Sequence, residues 1–407
     1  MSTSRAARRL GPFVGLIIIF LGGVLLNGQI FLSLYNQLNV LGRVSIIALP
    51  AVGMTLVIIT AGIDLSIGSL LSLSTVACAM LLMERSWTRA TSLTVPIFIL
   101  FAMLVGYYLG NQLLSHTGFD RRKSRLAGVI VGLVLAATGG LWCGSQVSTG
   151  FSTIAVLLTV PVLGMFLGAI SGLIIAKGKI QPFIVTLGMM SAAVGLAKFI
   201  AGKGGQIHPV YYQAAGYTAE GTAHVAPRSF DMLSGYLSIL GVKIFPVTAL
   251  FFLAAVLIVH FTLTRLRFGR HIYAIGGNEE TARLSGINVD RVKTLVYGFC
   301  GGLSALAGVL YCASYTQGKP DAGATWELDA IAAVVIGGTS LMGGRGTVIG
   351  TMAGVMILGY LGNILNLQEV PSEVQDILKG VIIVGAVLVQ EGTLLRWLQG
   401  IRSKHPA

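Results

Sequence analysis

Charge is scarce in this sequence. Only 11% of its 407 residues are Asp, Glu, Lys or Arg, against roughly 25% in an ordinary soluble domain, so a soluble globule of this length would lack the polar surface it needs. Cysteine is equally sparse. Cys78, Cys143, Cys300 and Cys312 lie in or at the ends of apolar runs with no C-x-x-C pair, which excludes the usual metal and redox spacings and leaves them as small packing residues. The six histidines, His116, His208, His224, His260, His271 and His405, are scattered, so the clustered His or acid constellation of a membrane enzyme is missing and no metal or cofactor is implied. No G-x-x-x-x-G-K-[ST] string occurs, which excludes a P-loop for ATP.

What the chain has instead is apolar length. Hydrophobic residues make up 54% of it, and its 54 glycines suit closely packed transmembrane helices, where small residues let backbones approach. A spanning helix needs about 20 apolar residues. By that rule runs stand near 12–34, 40–60, 64–83, 92–114, 126–142, 154–175, 183–201, 246–264, 292–314, 328–342, 347–365 and 377–390. The fold class is therefore an all-α integral membrane protein, a polytopic helical bundle of about 10–12 transmembrane segments, with short or Gly-broken runs able to be re-entrant. The first run follows Arg5, Arg8 and Arg9 and reads as an uncleaved first helix, since no small-residue cleavage site follows it.

The net charge of +13 does not point to nucleic acid, because no basic face interleaved with aromatics is present. The basic residues instead cluster between apolar runs. With the N-terminus assigned to the cytoplasm, nineteen of the 28 Lys and Arg fall on the inner side and six on the outer, which places both termini in the cytoplasm and the basic stretch Arg265 to Lys293 with them. Arg43, Lys198 and Lys379 fall within runs, each near an end where snorkelling suffices. The polar stretch Gly202 to Lys243 is then extracytoplasmic, either a docking surface for a soluble partner or a solvated connector.

Several motifs stand out. In Gly62-Ile63-Asp64-Leu65-Ser66-Ile67-Gly68-Ser69, Asp64 is placed to cap the third helix. An ionisable residue near membrane depth also tends to face a pathway or a partner, so Asp64 and Ser66 are candidates for either role. A second acidic start, Glu327-Leu328-Asp329, precedes Gly343-Gly344-Arg345-Gly346, and two such Gly-broken segments match the discontinuous helices that line transport pathways. Gly188-x-x-Ser191-Ala192-x-x-Gly195 and Gly301-x-x-Ser304-Ala305-x-x-Gly308 share a small-residue spacing that favours helix packing over pore lining. Glu279 to Leu284 favours a short helix that Gly286 stops.

Four ordered strings carry a resemblance: GIDLSIGS ending at Ser69, KIQPFIVTL from Lys179, FGRHIYAIGGNEETARLSGINV from Phe268, and ELDAIAAVVIGGTSLMGG from Glu327. Together they resemble the permease subunits of ribose-, xylose- and galactose-type bacterial ABC importers. The resemblance implies a fold like that of cobalamin-type importer permeases and import of a monosaccharide across the cytoplasmic (inner) membrane. Its implied partners are a cytoplasmic ABC ATPase dimer that hydrolyses the ATP, an extracytoplasmic sugar-binding protein and a second permease subunit, either another copy of this chain in a homodimer or a similar subunit. It also implies that Gly277, Asn278, Glu279, Glu280, Ala282 and Gly286 form the ATPase-coupling loop, Glu280, Ala282 and Gly286 fitting an E-A-A-x-x-x-G element with Thr281 at its middle alanine. Ala282 and Gly286 are then the expected contact points. The chain reads as a single permease domain over 1–407 with an inserted helical pair at 84–151, absent from typical members. Branched-chain amino acid import and secondary transport are the rival readings.

Overall fold

The computed structural model describes residues 3–116, 121–212 and 225–390. Asp120, residues 213–224 of the polar stretch, and the basic residues of the C-terminal segment after 390 lie outside them. Each of the twelve apolar runs is the core of a helix: α1 (Thr3–Leu32), α2 (Leu34–Ile59), α3 (Ile67–Met83), α4 (Arg89–His116), α5 (Arg121–Val147), α6 (Thr153–Gly178), α7 (Pro182–Ala201), α9 (Val247–Arg265), α12 (Val289–Tyr315), α13 (Trp326–Ile336), α14 (Val348–Leu367) and α15 (Ser372–Gln390). Three short polar helices join them: α8 (Arg228–Asp231), α10 (Arg267–Gly277) and α11 (Glu279–Leu284). Nine helices among the described residues are long and apolar enough to cross a membrane.

The bundle is organised around α2, α3 and α12, whose apolar residues are mostly buried. Close approach of α6 to α12 depends on glycine. A Cβ at Gly164 would overlap Ala305 and the Gly301 carbonyl, and one at Gly168 would overlap the Tyr297 carbonyl. The small-residue spacing at 301–308 is therefore a packing seam. At its counterpart, 188–195, nothing among the described residues lies within 4 Å of a Cβ built at Gly188 or Gly195, so these two glycines serve no close crossing within the described chain.

Two minimal sheets mark one end of the bundle. A hairpin of β2 (Tyr236–Ile239) and β3 (Val242–Pro246) lies beside the start of α2, where Tyr236 donates to Asn39 at 2.9 Å. A second pair, β1 (His208–Pro209) with β4 (Gln317–Gly318), sits where α12 ends. At the opposite end lie α10, α11 and the loop 338–346.

The helices α4 and α5 form an antiparallel pair zipped by glycines: a Cβ at Gly106 would stand 2.8 Å from the Gly132 Cα, and one at Gly110 2.9 Å from the Gly128 Cα. Only 22% and 17% of their apolar windows are buried, so the pair is peripheral.

Candidate functional site

Two interruptions in the helices define the centre of the molecule. After α2 the chain turns through 60–66 before α3 begins. Asp64 is fully buried, and its Oδ1 accepts from the Ser66 amide at 2.9 Å and the Ser66 hydroxyl at 2.6 Å. The sequence expectation that Asp64 is the N-cap is corrected here. Ser66 holds that position without a side-chain cap bond, because the Asp64 carboxylate reaches only two residues on and closes an Asx-type turn ahead of the helix. Asp64 does not face lipid. The Cys300 thiol lies beside its carboxylate, and among the described residues the neighbouring buried Tyr297 hydroxyl has no hydrogen-bond partner.

The second interruption follows α12. Residues 317–325 pass beside α3, a short strand followed by turns: Lys319 N donates to Thr75 Oγ1 at 3.0 Å, Thr75 Oγ1 donates to Lys319 O at 2.9 Å, and Gly323 N donates to Ser72 Oγ at 2.9 Å. Gly323 and Gly68 meet so closely that a Cβ on either would overlap the other's carbonyl. The half-length α13 then begins with Glu327 and Asp329 in its first turn, where carboxylates complement the helix dipole. Asp329 lies 3.6 Å from Lys379 of α15, and Lys379 lies 3.5 Å from Asp376. Lys379 is thus ion-paired, a correction to its reading as a snorkelling side chain. The apolar run to 342 ends as helix at Ile336, since Gly338, Gly343 and Gly344 adopt positive φ and turn the chain.

The polar segment after α9 is locally well specified. α10 buries Gly269, Ile272, Ile275 and Gly276 along one face. Asn278 caps α11 by accepting from Thr281 N at 2.8 Å, and Glu279 and Glu280 occupy its first turn. Gly286, at φ 82°, ends it: Ile287 N donates to Ala282 O at 3.1 Å and Gly286 N to Arg283 O at 3.1 Å, a Schellman motif. Exposed ion pairs link α11 to α12, with Arg283 2.8 Å from Asp290 and Lys293 2.6 Å from Glu279. The hydrogen bond to Asp290 raises the Arg283 pKa further above its usual value.

Six predicted loop residues, Gly277, Asn278, Glu279, Glu280, Ala282 and Gly286, are therefore gathered in one element, but they do not share one surface. Ala282 is 4% exposed and packs into the chain's own core, so it cannot be a contact point for a partner; its small size lets α11 lie flat on α12. Leu284, not singled out in the sequence, is 84% exposed. Sequence reasoning also missed the junction beneath this segment. Gly276 packs so tightly that a Cβ would overlap Ile59 O, and Gly344 N donates to Ile59 O at 2.9 Å. Tyr273 donates to Gly346 O at 2.8 Å. The polar segment thus touches the chain where α2 breaks and where α13 ends. The glycine-rich string 276–277 was the available signal. Asp64 with Ser66 and Asp329 with Lys379 belong to separate clusters. Among the described residues no three His, Cys, Asp or Glu gather to hold a metal.

A many-span bundle with broken segments at its centre and a polar helical segment pressed on the end of α2 and on the loop after α13 has the build of a membrane permease. The chain belongs to the permease family whose model is described as branched-chain amino acid transport system / permease component, which matches residues 125–387. Individual relatives narrow the likeness. The ribose import permease protein RbsC of Bacillus subtilis (strain 168) is 37% identical over 383 residues, covering 94% of this chain and 92% of that protein. RbsC of Escherichia coli (strain K12) is 36% identical, covering 88% and 86%. The xylose transport system permease protein XylH of Escherichia coli (strain K12) is 34% identical, covering 90% and 87%. No solved structure matches.

Proposed function

We propose that this chain is the membrane-spanning subunit of an ATP-driven importer that carries a monosaccharide of the ribose or xylose kind across the cytoplasmic membrane. The observation that carries the reading is the junction of Gly276, Ile59 and Gly344. A force applied to α10 and α11 reaches the end of α2, ahead of the first break, and the loop after the half-length α13 at once, which is what an importer needs when hydrolysis occurs on a separate subunit. ATPase subunits dock on the exposed face of 277–286, with Glu280, Gly286 and Leu284 outermost. A sugar-binding protein delivers substrate at the opposite end, where the two small sheets lie, and a second copy of the chain completes the pathway. Both termini and α10–α11 are cytoplasmic, in keeping with the distribution of basic residues. Asp64 and Ser66 hold the first break in shape, and Asp329 stands at the head of the second.

Substrate class follows the relatives whose printed names are sugar permeases, against the family description, which names branched-chain amino acids. The test is to assemble the chain with its ATPase and candidate binding proteins in vesicles and offer D-ribose, D-xylose, D-galactose and L-leucine. ATP-dependent uptake of an aldose supports the proposal. Uptake of L-leucine alone rejects it.

A further inference from the structure

A cavity of about 270 Å³ lies between α2, α13, α14 and α15. At the ~30 Å³ a water occupies, it has room for about nine water-sized groups, the scale of one monosaccharide. Its lining is unusual for a space inside apolar helices. Asn36, Asn39, Asn363, Asn366 and Gln375 present carboxamides to it, and the Asp329–Lys379 ion pair lies deeper. Along α14, Asn366 and Gly359 stand about 10 Å apart, so the carboxamides ring the end nearest the β2–β3 hairpin and the ion pair forms the floor. Asn36 and Asn363 exchange two hydrogen bonds, at 3.0 and 2.8 Å, and Gln375 donates to Asn366 at 3.0 Å. Each carboxamide has two donors and two acceptor lone pairs, so these bonds leave capacity for a further ligand.

We infer that this cavity is a substrate site within the permease, built for a neutral polyhydroxylated ligand. Three features converge on that chemistry. A hydroxyl both donates and accepts, as a carboxamide does, so a carboxamide ring can bind a sugar in several orientations and release it again. The floor charges of Asp329 and Lys379 are paired with each other, and Arg43, exposed on the same lining, has guanidinium N–H groups that donate to neutral hydroxyls. An ion pair at this depth is costly against lipid and belongs beside a water-filled space. An amino acid would need a free carboxylate for its ammonium group, and among the described residues the one acid on this lining, Asp329, is paired with Lys379; Val40, Val44, Ile47 and Leu358 add apolar wall against which the C–H face of a sugar ring can lie. The inference rests on the importer reading above.

Gly362 gives a direct test, because it lines the cavity and a Cβ built there meets nothing within 4 Å. The four native cysteines are buried, so an impermeant thiol reagent reports on an introduced one. Gly362→Cys, assembled with ATPase and binding protein, is treated with a cationic methanethiosulfonate, and ATP-driven uptake of labelled D-ribose and D-xylose is measured before and after. Modification lowers uptake at least tenfold, and reductant restores it. Gly144→Cys, exposed on the peripheral α5, keeps its uptake when modified. Complete modification at position 362 with unchanged uptake, or no reaction there in a transporting complex, overturns the site. If Gly362→Cys fails to assemble, Asn366 decides: a KM at least fivefold higher in Asn366→Leu and near wild type in Asn366→Gln supports the site, and equal values in both overturn it. Wild-type complex that imports L-leucine and no aldose removes the importer reading for sugars and this inference together, whereas wild-type sugar uptake with insensitive variants removes this inference alone.

Discussion

The Gly344 amide donates a 2.9 Å hydrogen bond to the Ile59 carbonyl, tying the glycine loop after α13 to the last residue of α2. Gly276 of α10 closes over the same carbonyl. Three chain segments far apart in sequence thus meet at one peptide group.

The first prediction concerns the sign of two adjacent substitutions. A methyl at Gly276 would strike the Ile59 carbonyl, backbone that cannot yield, whereas a Cβ at Gly277 meets nothing within 4 Å. Gly276→Ala should cost at least the roughly 1–3 kcal/mol of an overpacked site. Gly277→Ala should be neutral or slightly stabilising, since alanine favours helix over glycine. Thermal unfolding of the two variants in detergent checks the difference, and equal midpoints would contradict the junction.

Asp64 supplies the second. Both bonds to Ser66 reach Oδ1 alone, so an amide oxygen can replace it. Asp64→Asn should retain the turn, while Asp64→Ala leaves the buried Ser66 hydroxyl and amide without this acceptor, at about 1–3 kcal/mol. Circular-dichroism melts of both variants separate the cases; an Asn variant as unstable as the Ala variant would show that charge, not turn geometry, is what the site needs.

The fold was largely legible because a spanning helix writes its length directly in apolar residues, and each of the twelve runs holds a helix, although the run 328–342 is helical only to Ile336. α11 was legible for a similar reason: Asn278 and Gly286 are local signals that act through nearest neighbours. What stayed hidden depends on contacts between distant segments. Nothing near Ala282 in sequence shows that it faces inward, and Lys379 reads as a snorkelling lysine until α13 brings Asp329 beside it. Asn36 and Asn363 likewise look like ordinary residues near helix ends until they pair.

Excision of the α4–α5 pair gives a third prediction. Phe151 N donates to Leu81 O at 3.0 Å, so the chain re-enters beside the point where it left, and a short linker can replace residues 86–149. Surface uncovered on α6 would meet lipid, which is as apolar as the helices removed. The deletant should assemble and keep measurable transport. Complete loss of uptake in a deletant that still binds the ATPase would place the pair in the transport path.

Sidedness gives the fourth. Arg270 and Tyr211 lie at opposite ends of the bundle and both are exposed. In intact cells an impermeant thiol reagent should label Tyr211→Cys and reach Arg270→Cys only after permeabilisation. Labelling of position 270 from outside would invert the topology.

The central claim is that ATP hydrolysis elsewhere drives sugar through this chain by way of α11, and Leu284 tests it most directly. Its side chain is 84% exposed and makes no contribution to the core, so Leu284→Asp should leave folding intact while removing an apolar contact to the ATPase. The decisive measurement is ATP-driven accumulation of labelled D-ribose or D-xylose in vesicles holding the assembled importer, compared between wild type and Leu284→Asp. Accumulation in wild type, with at least a tenfold loss in a normally folded variant that no longer retains the ATPase, is the predicted result. Equal accumulation and equal ATPase retention in the two would contradict the account.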